Sequence, residues 1–311
     1  MTADWQPSAS LATLQARERL MRATRAFFHA RGVLEVDVPL VQSGANCDRG
    51  VVPMALDERY LITSPEHPLK RLLAAGYGDV WASCPCFRSG EQGQRHAPEF
   101  RMLEWYRCGF TLTQLITETV ELLATLTELA ADTECYSYRD AFRHHLDLDP
   151  MTASENELLA ALDSNEREAV TNRLDCLDLL LSEHMQPHFA PDRWTVISDW
   201  PADQAAQARL LTDPADGAAL AARFEVYRGR LELANGYHEC CDADELSARL
   251  HAEGKAPERS SELRPDAHLA AAMRHGLPDC CGVALGFDRA VLLATGVSSL
   301  AETMAFDWNR A

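Results

Sequence analysis

Three short stretches carry residue types that can bind a phosphorylated ligand and a small cationic one. The first runs from Phe87-Arg88, through a polar loop, to Pro98-Glu99-Phe100-Arg101-Met102-Leu103-Glu104-Trp105-Tyr106. Side chains alternate along a strand, so Phe100, Met102, Glu104 and Tyr106 share one face. An aromatic ring there can stack on a base, while an acid and a phenol can hold an amine. The plainer reading is a half-buried strand with a satisfied glutamate. The second stretch is Glu232-Leu233-Ala234-Asn235-Gly236-Tyr237-His238-Glu239. Two carboxylates beside a nucleotide suit Mg²⁺, which takes a few carboxylate oxygens together with phosphate oxygens. Glu232 and Glu239 are seven residues apart, so an unbroken strand points them to opposite faces; Asn235-Gly236 is the expected break. The alternative is two solvated acids on a hairpin. The third stretch is Gly282-Val283-Ala284-Leu285-Gly286-Phe287-Asp288-Arg289. Small residues let a ligand approach the backbone, and the planar fork of Arg289 can grip a phosphate. An arginine paired with its neighbouring aspartate is the ordinary alternative.

These stretches need elements to hold them. Residues 11–31 predict an amphipathic helix with Leu11, Leu14, Leu20, Met21, Phe27 and Phe28 on its apolar stripe, closed by Gly32. Val33–Val38 reads as a short strand ended by Pro39. Ser64-Pro65-Glu66 opens a second helix that ends at Gly76. Residues 79–88 and 98–107 predict two strands joined by the loop Ser89–Ala97, and Thr111–Ala131 a long helix. The segment 135–192 reads as a helical insertion and contains the capping-box spacing Ser154–Glu157. Trp194–Trp200 predicts a strand, Phe224–Glu239 a hairpin turning near Arg228-Gly229, 243–275 mostly helix, and Val283–Thr295 a strand running into a helix. Hairpin-joined strands predict an α+β fold, a mostly antiparallel sheet flanked by helices, rather than a doubly wound parallel one. No G-x-G-x-x-G or G-x-x-x-x-G-K-[ST] occurs, which argues against a Rossmann or P-loop nucleotide site.

Composition narrows the class. The 311 residues carry 29 Lys+Arg against 47 Asp+Glu, a formal charge of −18, which argues against a broad nucleic-acid footprint. The opening MTADWQPSAS has no apolar run, and no stretch reaches the roughly 18–20 apolar residues of a membrane helix. A cytoplasmic protein with reduced thiols is expected. The ten cysteines, including Cys84-Pro-Cys86, Cys240-Cys241 and Cys280-Cys281, lack the paired C-x-x-C spacing of a zinc site. They are expected to be free structural thiols.

Taken in order, helix–Gly32–strand–Pro39, Phe87-Arg88…Phe100 and Gly286-Phe287-Asp288-Arg289 resemble motifs 1, 2 and 3 of the class II aminoacyl-tRNA synthetases. Thr63-Ser64-Pro65-Glu66, Pro98-Glu99-Phe100, Glu232–Gly236 and Gly282–Arg289 resemble the lysyl branch. Motif 1 begins near residue 11, leaving no room before it for an oligonucleotide-binding barrel. That layout is similar to the elongation factor P–(R)-β-lysine ligases, as are Trp5–Ser10, Met102–Arg107 and Arg223-Phe224-Glu225-Val226-Tyr227. The resemblance covers essentially the whole chain. It implies one catalytic domain over 1–311 with the 135–192 insertion, a homodimer through motif 1, no anticodon recognition and no membrane.

The resemblance also implies chemistry. ATP and Mg²⁺ would activate (R)-β-lysine, or lysine, as an adenylate, and the acyl group would pass to a lysine amine of elongation factor P. Arg88 and Arg289 would be catalytic, on the α- and γ-phosphates; Phe100 would stack on adenine. Ser89, Gly90, Glu91, Ala97, Glu232, Leu233 and Gly286 would complete the ATP site. Ser64, Pro65, Glu66, Glu104, Tyr106, Asn235, Tyr237, Glu239 and Ala284 would form the amino-acid pocket, with Glu232 and Glu239 as metal ligands. The acids Glu66 and Glu104 suit two ammonium groups. Ala284 stands where tRNA-charging relatives usually have Gly, which fits an amino group displaced by one carbon. Motif 2 departs from Phe-Arg-Asn-Glu by reading Phe87-Arg88-Ser89-Gly90-Glu91, Ala97 replaces an Asn, and Gly50 stands where relatives often carry His. Two other readings follow: a lysyl-tRNA synthetase-like enzyme with another acceptor, and a non-catalytic paralogue that binds lysine or nucleotide.

Overall fold

A computed structural model describes residues 5–255 and 263–311. Part of the helical stretch expected over 243–275, residues 256–262, lies outside the described residues, as do the first four of the chain. The chain divides into two compact units, one from the described residues of Met1–Leu129 and Glu239–Ala311, the other Ala130–His238.

In the first unit, α1 (Leu11–Ala30) starts where the Ser10 hydroxyl accepts from the Thr13 N–H at 3.1 Å. It ends before Gly32, whose φ of +67° only glycine adopts without strain. Strand β1 is only Leu34–Glu35, shorter than expected, because Val36 onward leaves the ladder for a loop. A small ribbon that the sequence did not signal follows: β2 (Val41–Gln42), β3 (Ala55–Leu56) and β4 (Arg59–Leu61). Next come α2 (Glu66–Ala74), β5 (Val80–Phe87), β6 (Glu99–Cys108) and α3 (Leu112–Thr127), the last with a complete capping box at Thr111 and Gln114.

The second unit contains β7 (Thr133–Ser137), α4 (Tyr138–Leu146), α5 (Glu155–Ala160), α6 (Ser164–Ala169), α7 (Arg173–Leu179), β8 (Trp194–Pro201), β9 (Leu210–Thr212), β10 (Ala219–Arg228) and β11 (Leu231–His238). The capping box at Ser154 and Glu157 forms. The opening of the expected helical insertion is instead a strand: β7 pairs in parallel with β8, Thr133 opposite Trp194 through Ser137 opposite Ser198. Its Thr and Tyr favour extended backbone, but five residues with one face half-wet give no strong alternation. Back in the first unit are α8 (Ala243–Gly254), α9 (Ala267–His275), β12 (Cys280–Gly286) and α10 (Phe287–Thr295).

Strands of the first unit run β1-β5-β6-β12: β1 pairs in parallel with β5, and β5–β6 and β6–β12 are antiparallel. In the second unit the order is β7-β8-β10-β11, with β9 also on β10, antiparallel apart from β7–β8. The fold is α+β with mostly antiparallel sheet. The expected break at Asn235-Gly236 does not occur, since Asn235 faces Glu225 and Gly236 faces Phe224 within the ladder. The register slips two residues earlier: Val226 faces Ala234, and then Tyr227 faces Glu232. Leu233 is the extra residue, and its burial rewards the bulge with apolar area.

The sheet of the first unit has two distinct faces because neighbouring side chains on β5 and β6 point oppositely. One face sends Trp81 and Trp105 onto α1, where Phe28 stacks on Trp81 at 4.7 Å and meets Trp105 at 5.2 Å. The Trp105 indole donates to Glu118 of α3 at 3.1 Å. The opposite face of β6 carries Phe100, Met102, Glu104 and Tyr106, as the alternation predicts. Phe28 is fully buried between the two tryptophans, so truncation leaves a cavity that rigid strands cannot fill. Phe28→Ala is expected to lower the unfolding free energy by about 3–5 kcal/mol; a loss below about 1 kcal/mol in urea denaturation would contradict this packing.

Candidate active site

Helix α2 places two charges on one face. Glu66 and Lys70 are separated by one turn, and the Lys70 ammonium lies 2.7 Å from the Glu66 carboxylate. The same ammonium is 2.7 Å from Glu239, at the start of the segment that follows the hairpin. Lys70 and Glu239 are both 0% exposed. Burial works against the Lys70 charge, but Glu239 and Glu66 outweigh it and hold the ammonium well above its ordinary value. Sequence reasoning does not single out Lys70; the spacing Glu66–Lys70 in a predicted helix is the available signal.

Glu104 and Tyr106 extend this cluster from the inner face of β6. The Tyr106 hydroxyl donates to Glu104 at 2.8 Å, and Ser64 donates to the other Glu104 oxygen. The Ser64 hydroxyl also accepts from the Glu66 N–H at 3.1 Å, which couples the start of α2 to β6. Pro65, buried, is the residue that precedes the first turn of α2. Burial pushes the Glu104 carboxyl well up, and the charge of Glu66 adds to it. Glu239 is pushed to about 7 by burial, with Lys70 pulling it down and Glu66 pushing it up. Asp48, another residue that sequence reasoning misses, is raised by burial and by Glu66. Glu66, Glu104, Glu239 and Asp48 thus gather around the one Lys70 ammonium.

The floor of this pocket needs glycine. A Cβ built on Gly282 would lie 2.2 Å from the Tyr106 ring and 2.7 Å from a Glu239 oxygen. Two residues on, Ala284 sits opposite Glu104 in the β6–β12 ladder. Its methyl packs on the cluster of Ile62, Cys84, Cys86 and Met102, as does Phe100. Ser64, Glu66, Glu104, Tyr106, Glu239 and Ala284 are therefore brought together.

The nucleotide candidates lie at the other end of the same strands. The Arg88 guanidinium is 5.1 Å from the Phe100 ring centroid, and its Nη1 is 3.5 Å from Glu91. Glu91, displaced by one residue in motif 2, thus still reaches the arginine. Ser89 and Gly90 are exposed and Ala97 is half-buried on the connecting loop. At the end of β12, Gly286 packs against the Arg289 stem, which a Cβ at position 286 would approach to 3.4 Å. Arg289 lies 3.0 Å from His96 of the motif 2 loop. Asp288 is buried and fixes the start of α10: it pairs with Arg17 of α1 and accepts from the Arg101 N–H of β6 at 2.6 Å. The aspartate beside Arg289 is thus bound to α1 and β6.

Glu232, Leu233, Asn235 and Tyr237 are on β11 of the second unit. There Asn235 donates to Glu225 at 3.3 Å, Arg223 pairs with Glu225 at 2.5 Å, and Tyr227 donates to the same carboxylate. Burial lifts Glu225 to about 7, Arg223 opposes it, and Glu232 adds to the rise. Leu233 is buried, and Glu232 and Tyr237 are half-buried. In the sequence Glu225 stands out only as part of a family-like stretch; its alternation with Arg223 and Tyr227 is the signal that could have found it.

The expected Mg²⁺ ligands are Glu232 and Glu239. Glu239 is fully buried, with its Oε2 2.7 Å from the Lys70 ammonium and its Oε1 without a hydrogen-bond partner among the described residues. Half-buried Glu232 keeps the donor chemistry for such an ion. Among the described residues, no group of three or more His, Cys, Asp or Glu side chains is placed to hold a metal. All ten cysteines are free and most are buried.

The sequence pattern of the class II tRNA synthetases (D, K and N) matches residues 2–310. The chain belongs to that family, in its elongation factor P–(R)-β-lysine ligase branch. Proteins called elongation factor P–(R)-β-lysine ligase from Klebsiella pneumoniae (strain 342), Salmonella gallinarum (strain 287/91 / NCTC 13346) and Enterobacter sp. (strain 638) are 42%, 41% and 40% identical to it. Each match spans 326 aligned positions, 100% of this chain and 99% of the relative. Membership makes the chain a ligase. Among the described residues no helix is long and apolar enough to cross a membrane.

Within this family scaffold, Gly282 has no room for a methyl group. Gly282→Ala is expected to cost about 1–3 kcal/mol of stability by overpacking against the buried Tyr106 ring. Chemical denaturation checks it, and an unchanged midpoint would show that the ring can move aside.

Proposed function

We propose that the chain uses ATP to activate (R)-β-lysine, or lysine, and transfers the acyl group to a lysine side chain of elongation factor P. A carboxylate oxygen of the amino acid attacks the α-phosphorus of ATP. The bond from that phosphorus to the bridging oxygen breaks, and pyrophosphate leaves. The acceptor amine then attacks the acyl carbon, AMP departs and an amide forms, with the amine proton lost to solvent.

The observation that carries this reading is the buried acid cluster of Glu66 on α2, Glu104 and Tyr106 on β6, and Glu239, with Arg88 beside Phe100 of the same β6. Its shortage of positive charge suits a ligand with two ammonium groups. Arg88 would bind the α-phosphate and stabilise charge developing there, Phe100 would stack on adenine, and Arg289 would hold the γ-phosphate. Ser89, Gly90, Glu91, Ala97 and Gly286 would surround the nucleotide, with Glu232 and Leu233 contributing from β11. Ser64, Pro65, Asn235, Tyr237 and Ala284 would complete the amino-acid site. A divalent cation would accompany ATP and screen its phosphates. The two units would act as one catalytic domain, in a cytoplasmic homodimer built on α1.

The test supplies ATP, (R)-β-lysine and elongation factor P and reads the acceptor by mass spectrometry. A β-lysyl adduct is expected; charged tRNA with unmodified elongation factor P would favour the tRNA-acylating reading instead. Arg88→Ala is expected to lower amino-acid-dependent ATP–pyrophosphate exchange by about 100-fold or more while the protein stays folded. Unchanged exchange would remove Arg88 from this role.

A further inference from the structure

We propose that Lys70 is a specificity-determining positioning residue, whose ammonium fixes Glu66 and Glu239 in the orientation that receives a diamino-acid substrate. The inference rests on the proposed activity and deepens it. Lys70 is placed to orient substrate-binding acids and is given no contact with the reacting atoms.

Three observations support it. Lys70 is 0% exposed and 2.7 Å from each of two carboxylates, one on its own helix and one from the segment after the hairpin. A lysine buried merely to fill space would bring a charge at high cost where an apolar side chain would do. The charge is fixed: both acids hold the ammonium against burial. Lastly, the walls around Glu239 are tight. Gly282 leaves no room for a methyl between Glu239 and Tyr106, and Tyr106 is bonded to Glu104. A carboxylate that swung away from Lys70 would collide with the face where the substrate is expected.

Chemistry dictates the consequence. Burial, and after it the charge of Glu66, pushes the Glu104 and Glu239 carboxyls upward. A protonated carboxyl is a poor acceptor for an ammonium. The Lys70 ammonium opposes that rise at Glu239 and holds both Glu66 and Glu239 at 2.7 Å. Without it, Glu66 and Glu239 would lose the group that holds them together and the site its grip on a second ammonium, whereas the ATP end, at Arg88 and Phe100, would be unaltered.

The test is steady-state ATP–pyrophosphate exchange with Lys70→Met, Lys70→Arg and the unaltered protein, titrating (R)-β-lysine and ATP separately. For Lys70→Met we expect the KM for (R)-β-lysine to rise roughly 100-fold, with the KM for ATP within about threefold of the original. Lys70→Arg keeps the charge but displaces it, and is expected to give a rise of about tenfold in the amino-acid KM alone. A folded Lys70→Met with an unchanged amino-acid KM overturns the inference, as does an equal rise in both constants, which marks a general structural role. If Lys70→Met does not fold, Lys70→Arg decides by the same criterion. Failure of the unaltered protein to exchange with (R)-β-lysine would instead overturn the proposed activity and this inference with it.

Discussion

The site is organised around a buried ammonium held between two carboxylates. Taking ions out of water costs several kcal/mol each, and their attraction repays this only with close geometry. Lys70 meets the condition with Glu66 and Glu239 both at 2.7 Å. Glu104 and Asp48 add further acids, and burial and the charge of Glu66 raise both. On the proposed function, a ligand bearing ammonium groups would bring these buried acids the positive charge they otherwise share in Lys70.

The surrounding fold makes that cluster possible. Strand alternation sends Trp81 and Trp105 toward α1 and leaves Glu104 and Tyr106 on the other face, so one strand supplies both core and pocket. Gly282 lets β12 pass beneath Tyr106 without collision. Asp288 joins α1, β6 and α10, and so ties the position of Arg289 to the same framework that holds Phe100. The polar network is local, yet its geometry is inherited from an apolar sandwich of helix and strand.

Much of this is legible in the residues. The helix at Leu11–Ala30, the pair β5–β6 and the strand-to-helix turn at Gly286–Phe287 all follow from periodicity and caps. Strand alternation groups Glu104 with Tyr106 and a helix start marks Ser64-Pro65-Glu66, both local rules; that the two stretches meet is implied only by the family resemblance. Lys70 is harder to read, since nothing local distinguishes a buried lysine from a solvated one; its partner Glu239 is distant in sequence. The bulge at Leu233 escapes for a related reason. Asn-Gly is a strong local turn signal, but cross-strand packing of a buried leucine decides the register. Strand β7 hides in a stretch too short and too polar to show alternation.

The central claim is that the pocket is built for two ammonium groups, and the most direct measurement compares (R)-β-lysine with (3R)-3-aminohexanoic acid, which lacks only the terminal amine. Calorimetric binding, or exchange where binding is weak, would give the ratio. A site that leaves buried acids unpaired when a polar group is missing discriminates by about 10⁴-fold. A preference for (R)-β-lysine of roughly that size is expected. Comparable affinity for the two compounds would show that the buried acids of the pocket do not recognise the second ammonium, and would contradict the claim.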